Sequence, residues 1–172
     1  MDHTLILKFF TALLAVMNPL AILPLFISFT DTSNRSKVKN VTIFAIAIIM
    51  GLTLFAGNKI LRIFGITTGA FEATGGIIIF LMALAMAQGN MSTIQGSKSE
   101  EKHGIAKEDP SVVPLAMPLL GGPGTIATII VYHNYLPGTD GYLVISGVLA
   151  ASLLVVWVLF SFAGEINKLL GE

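Results

Sequence analysis

Two prolines and three glycines lie in the stretch Met117-Pro-Leu-Leu-Gly-Gly-Pro-Gly-Thr-Ile-Ala-Thr128, within an apolar segment that runs from Val112 to His133. Inside a bilayer, backbone N–H and C=O groups must find partners within their own helix or a closed barrel. An interrupted helix is therefore tolerated there only where its open backbone is buried in protein or lines a wet cavity. A second interruption, Met17-Asn-Pro-Leu-Ala-Ile-Leu-Pro24, falls inside the first apolar segment. Two broken hydrophobic segments in corresponding places are the sequence signature of a transporter's binding site.

The bilayer setting follows from composition. Charged residues make up 12% and hydrophobic ones 54% of the 172 residues, with a mean hydropathy of +0.83; soluble domains carry about 25% charge. Ten basic and ten acidic residues balance to zero net charge without a basic block, so no nucleic-acid surface is expected. Cysteine is absent, which excludes disulfides, thiolate metal sites and thiol nucleophiles. The first apolar segment lacks the basic n-region and short core of a signal peptide: it starts with Asp2 and a lone Lys8 and continues through Asn18-Pro19 to Phe29. It reads as a retained transmembrane segment.

A span of about 20 helical residues crosses roughly 30 Å of hydrocarbon. Five stretches qualify: about 5–29, 41–61, 71–89, 112–133 and 142–163. The first is long for one straight span, which suits a break or bend at Asn18-Pro19 and again near Pro24. Residues 90–111 form the longest and most charged loop, and Pro137-Gly138 marks a tight turn. With the N-terminus outside, Arg35, Lys37, Lys39, Lys98, Lys102, Lys107 and Lys168 fall inside, against Lys8, Lys59 and Arg62 outside. Positive charge concentrates on the cytoplasmic side, so the orientation expected is N-terminus out.

Superposing Asn18-Pro19 on Gly122-Pro123 gives an offset of 122 − 18 = 104 residues. The same shift carries the second span onto the fifth and the third span past Glu172. The fold expected is an all-α polytopic bundle in one transmembrane domain. Repeat one covers about 5–89 and an incomplete repeat two covers about 112–172, with five spans present of a 3+3 arrangement. Three crossings per repeat would insert the second copy upside down, as in secondary transporters. The partner of the third helix is missing, most simply by truncation; a five-span form completed by dimerisation is the alternative.

Asn18-Pro19, Gly75-Gly76 ahead of an apolar run, and Pro118-Leu-Leu-Gly-Gly-Pro-Gly-Thr-Ile126 resemble the MarC family of integral membrane proteins. The resemblance runs over the whole chain. It implies a multi-pass protein of the bacterial inner membrane, with six spans, both termini outside and a kinship to LysE-type amino-acid exporters. The sequence departs from that pattern in stopping before a sixth span.

The residues expected to bind substrate are Asn18, Pro19, Gly121, Gly122, Pro123, Gly124 and Thr125. Pro19 frees a carbonyl one turn back and Asn18 offers an amide. A half-helix starting at Pro123 to Thr125 would aim its free N–H groups and positive dipole end at an anionic group near mid-membrane. The competing reading at both places is helix packing, through a polar bridge or close glycine contacts. Glu72 is a candidate proton relay because it is ionisable and intramembrane, although its place near the start of the third span also suits a solvated first-turn glutamate. Asn58 and Gln88 read as interfacial. The three histidines do not cluster, so no metal site is expected; Trp157 reads as mid-span.

No catalytic motif for hydrolysis or phosphate binding occurs, and the chain reads as a non-enzyme with no cofactor. The expectation is secondary transport or export of a small polar metabolite, an amino acid in particular, by alternating access around the two broken helices. A channel or pore, and a structural membrane protein without transport, are the alternatives. The partners expected are the lipid bilayer, a small-molecule substrate and a second copy of the chain.

Overall fold

A computed structural model describes residues 3–28, 30, 33–88 and 120–165 of the chain. Over these residues it is helical: α1 His3–Met17, α2 Pro19–Ser28, α3 Arg35–Ile63, α4 Thr68–Ala87, α5 Pro123–Tyr135 and α6 Thr139–Ser161. Among the described residues three stretches are long and apolar enough to cross a membrane: His3–Pro24, Arg35–Ile63 and Thr139–Glu165. α4 runs from Thr68 to Ala87 and is apolar from Ile77 onward. The loop at 90–111, Met117 to Leu119 and the first part of the expected fourth span, 112–119, lie outside the described residues.

Side-chain contacts fix the direction in which each helix runs. Phe9 of α1 stacks on Tyr132 of α5 at 4.6 Å between ring centroids, while Val16 of α1 meets the start of α5 at Gly124. The two helices are therefore antiparallel. Gly75 of α4 faces Ala127, and Ile79, one turn further on, faces Gly124, so α4 is antiparallel to α5 as well. Lys39 of α3 lies over the Trp157 ring of α6 at 4.2 Å, and Phe55 stacks on Tyr142 at 5.7 Å; these two helices also run oppositely. α5 touches α1, α3, α4 and α6, and α6 touches α1, α2, α3 and α5.

One consequence is a sorting of charge by end. Arg35, Lys37 and Lys39 share an end with Glu165, where Phe26 stacks on Phe160 at 4.2 Å. There Arg35 reaches back to the end of α2, its Nε donating to Thr30 Oγ1 at 3.3 Å. Lys59, Arg62 and Lys8 belong to the opposite end, with Tyr132, His133 and the Gly138 turn. No charged side chain is buried among the described residues. The buried hydroxyls of Thr53, Thr125, Thr128 and Ser152 all donate to backbone carbonyls in their own neighbourhood.

The first span is two helices separated at Asn18, the break expected there. The expectation at Pro24 needs correction. Pro24 makes no second break: α2 runs through it, because losing one N–H to a carbonyl leaves the flanking bonds intact. Trp157 lies one turn from the end of α6, with the Lys39 ammonium over its ring. Gly147 and Ala151 lie on an exposed face of α6, and a Cβ added to Gly147 would meet nothing within 4 Å among the described residues.

Candidate functional site

Asn18 is a one-residue hinge. It is the only described non-glycine residue with a positive φ, at 41°. The left-handed region suits asparagine better than any other residue with a side chain except aspartate, because its short polar group bonds locally. The carboxamide Oδ1 accepts from Ala21 N at 3.4 Å and the Asn18 carbonyl takes the same N–H at 3.1 Å, so Asn18 caps α2. Asn18 N in turn donates to Leu14 O at 2.9 Å, closing α1. Pro19, buried, has no N–H to return to Ala15 O. Because Ala21 N bonds to Asn18, it leaves Met17 O as well. The C-terminal end of α1 thus lacks the usual amide partners of the Ala15 and Met17 carbonyls, and carries the partial negative charge of a helix end.

The second break is built from the opposite end of a helix. Gly122 caps α5 with φ −71° and ψ −177°, and no side chain occupies the cap. Pro123 takes the first helical position, where its missing N–H costs nothing. Thr125 Oγ1 donates to Leu120 O at 2.8 Å, which ties the incoming strand of chain to the first turn. The first-turn amides of α5 have no acceptor within the helix and carry its positive dipole end. Gly121, Gly122, Gly124 and Thr125 are buried, whereas Pro123 is exposed. Replacing Thr125 by Val removes the bond to Leu120 and keeps the shape. A loss of about 1 kcal/mol in reversible detergent unfolding is expected.

These two breaks meet. A Cβ added to Gly124 would stand 2.7 Å from Val16 Cγ1 and 3.3 Å from Ile79 Cγ1. Val16 is the penultimate residue of α1 and Gly124 the second of α5. The carbonyl end of one half-helix therefore lies against the amide end of another, with α4 closing the third side through Gly75, whose added Cβ would fall 2.7 Å from Ala127. Such a pair of ends offers acceptors and donors side by side in an otherwise apolar interior, which is what a zwitterion needs to replace its water.

The chain belongs to the MarC family of integral membrane proteins. The family's profile, described as MarC family integral membrane protein, matches residues 3–172. A UPF0056 membrane protein of Buchnera aphidicola is 35% identical over 99% of this chain and 81% of its own length. The Escherichia coli membrane protein YhcE is 35% identical over the same shares. The inner membrane protein YhgN of Escherichia coli is 34% identical, over 93% of this chain and 79% of its own. No solved structure matches.

Within this MarC protein the structure groups Asn18, Pro19 and Gly121 to Thr125 around one contact. It leaves Glu72 aside. Glu72 is the fifth residue of α4, half-buried, beyond the first turn in which it was expected. Ile79, which touches the break, lies 79 − 72 = 7 residues further on, about 10 Å of helix rise. Val16, Ile79 and Gly75 escaped sequence reasoning, since nothing in an apolar helix marks which residue faces a neighbour. The polar group Asn58, His133 and Asn134 escaped it too: Asn58 Nδ2 lies 3.2 Å from His133 Nδ1 and 3.0 Å from Asn134 Oδ1. Their distance in sequence hid the cluster.

Proposed function

We propose that this MarC protein is a secondary transporter or exporter of a small polar metabolite, an amino acid in particular, and that it works by alternating access around its two broken helices. The observation that carries the reading is the apposition of Val16 and Gly124. A substrate carboxylate would take the first-turn amides of α5, and its ammonium group the carbonyls at the end of α1. Asn18, able to accept and to donate, would exchange its cap on α2 for a substrate contact as the half-helices part. Pro19 and Pro123 start α2 and α5, and Arg35 and Thr139 start α3 and α6; both pairs differ by 104 residues. That equal spacing supports an inverted repeat, whose rocking would expose the site to each face in turn.

The N-terminus lies outside in this reading, in the inner membrane, because Arg35, Lys37 and Lys39 gather at one end and would face the cytoplasm. The name of YhgN as an inner membrane protein agrees with that membrane. Transport is tested in proteoliposomes with labelled small neutral amino acids. Flux should saturate and show counterflow, and Asn18→Gly should lower it about tenfold, a loss of roughly 1.4 kcal/mol in site interactions. Flux that rises linearly with concentration, unaltered by Asn18→Gly, would place the protein among pores. No flux of any solute would leave a structural role.

A further inference from the structure

A second polar region lies well away from the breaks, where the end of α3 meets the turn between α5 and α6. A hollow of about 250 Å³ opens there, bounded by Asn58, Lys59, Arg62, His133, Asn134 and Tyr142. We propose that it is a binding site for an anionic oxygen group, a carboxylate or a phosphate. His133 begins the site about 15 Å along α5 from Pro123, ten residues at the helical rise. The proposal stands whether or not the breaks carry a substrate.

The chemistry of the wall is one-sided. Lys59 and Arg62 are exposed cations, and among the described residues no acid lines the hollow. Asp140, exposed on the first turn of α6, is the nearest acid in sequence and lies outside the lining. Arg62 Nε donates to Asn58 O at 3.3 Å, which holds the guanidinium along the helix and leaves its terminal nitrogens to fork onto an oxygen pair. Asn58 Nδ2, donating to Asn134 Oδ1, also approaches His133 Nδ1. When that nitrogen accepts, the ring proton sits on Nε2 and His133 becomes another donor. The His133 ring leans on Tyr142 at 4.6 Å between centroids, so its orientation is fixed by packing. Donors that converge without an acid partner suit an anion and disfavour a cation.

A free solute and the headgroup of an anionic lipid share this chemistry, and the experiment separates them. The full chain is placed in phosphatidylcholine nanodiscs and titrated with inorganic phosphate and with acetate by calorimetry. A parallel arm counts phosphatidylglycerol retained by the protein from mixed-lipid discs. The variant is Lys59→Gln/Arg62→Gln, with Lys37→Gln at the opposite end as a control for bulk charge. Both altered residues are exposed, and an unchanged melting temperature checks the fold; Lys59→Gln alone serves if the pair does not fold. Saturable binding of either anion, weakened at least tenfold by the pair and untouched by Lys37→Gln, supports the site with a soluble ligand. Lipid retention lost in the pair alone supports it with a headgroup. Equal behaviour of all three proteins in both arms overturns it.

Discussion

Gly124→Ala should destabilise the protein by about 1–3 kcal/mol in reversible detergent unfolding, and Gly124→Val by more. The added Cβ would stand 2.7 Å from Val16 Cγ1 and 3.3 Å from Ile79 Cγ1, so two helices must move to admit one methyl group. This is no flexible end giving way: Val16 is β-branched and stiff at χ1, and it sits beside the end of α1. A double-mutant cycle makes the contact itself visible. Val16→Ala removes the obstructing methyls, so Gly124→Ala/Val16→Ala should be less destabilised than the sum of the single changes, by about 1 kcal/mol. Additive losses would mean that the two half-helices do not touch at this point.

Asn18→Val should cost about 1–3 kcal/mol, because a β-branched residue is forced into the left-handed region at φ 41°. Asn18→Gly should hold the fold within about 1 kcal/mol, since glycine adopts that φ freely and only the side-chain cap on Ala21 is lost. The pair of variants separates the backbone role from the amide. If Asn18→Gly folds and fails to transport, the carboxamide has a task beyond the turn. If Asn18→Gly folds and transports as the wild type does, Asn18 is a hinge alone. Helical circular dichroism and detergent unfolding provide the folding measure.

Much of this architecture was legible in the sequence because prolines and glycines act locally. The breaks at Asn18 and at Gly122-Pro123 stand where those residues predict them, and the 104-residue offset that they suggested also relates the starts of α3 and α6. Pro24 misled because a single missing N–H bends or spares a helix according to its surroundings. Which side of each helix faces the bundle was not legible. The spans are apolar on nearly every face, with exposed Phe44, Leu52 and Phe55 on the same helix as buried Ile46, Met50 and Leu54. An all-round apolar helix carries no rotational signal. For that reason Val16, Ile79 and Gly75 came into view only through their contacts, and the Asn58–His133–Asn134 cluster through the packing of α3 against α5.

The most direct measurement uses the absence of cysteine. Pro123→Cys puts one thiol at the exposed first position of α5, and a membrane-impermeant thiol reagent is applied to right-side-out and to inverted vesicles. Phe44→Cys, 68% exposed on the outer surface of α3, measures the background from lipid-facing positions. Alternating access around the breaks predicts labelling of Cys-substituted Pro123 from both faces, well above the Phe44→Cys background, with flux retained. Labelling from one face only, or no more than background from either, would contradict it.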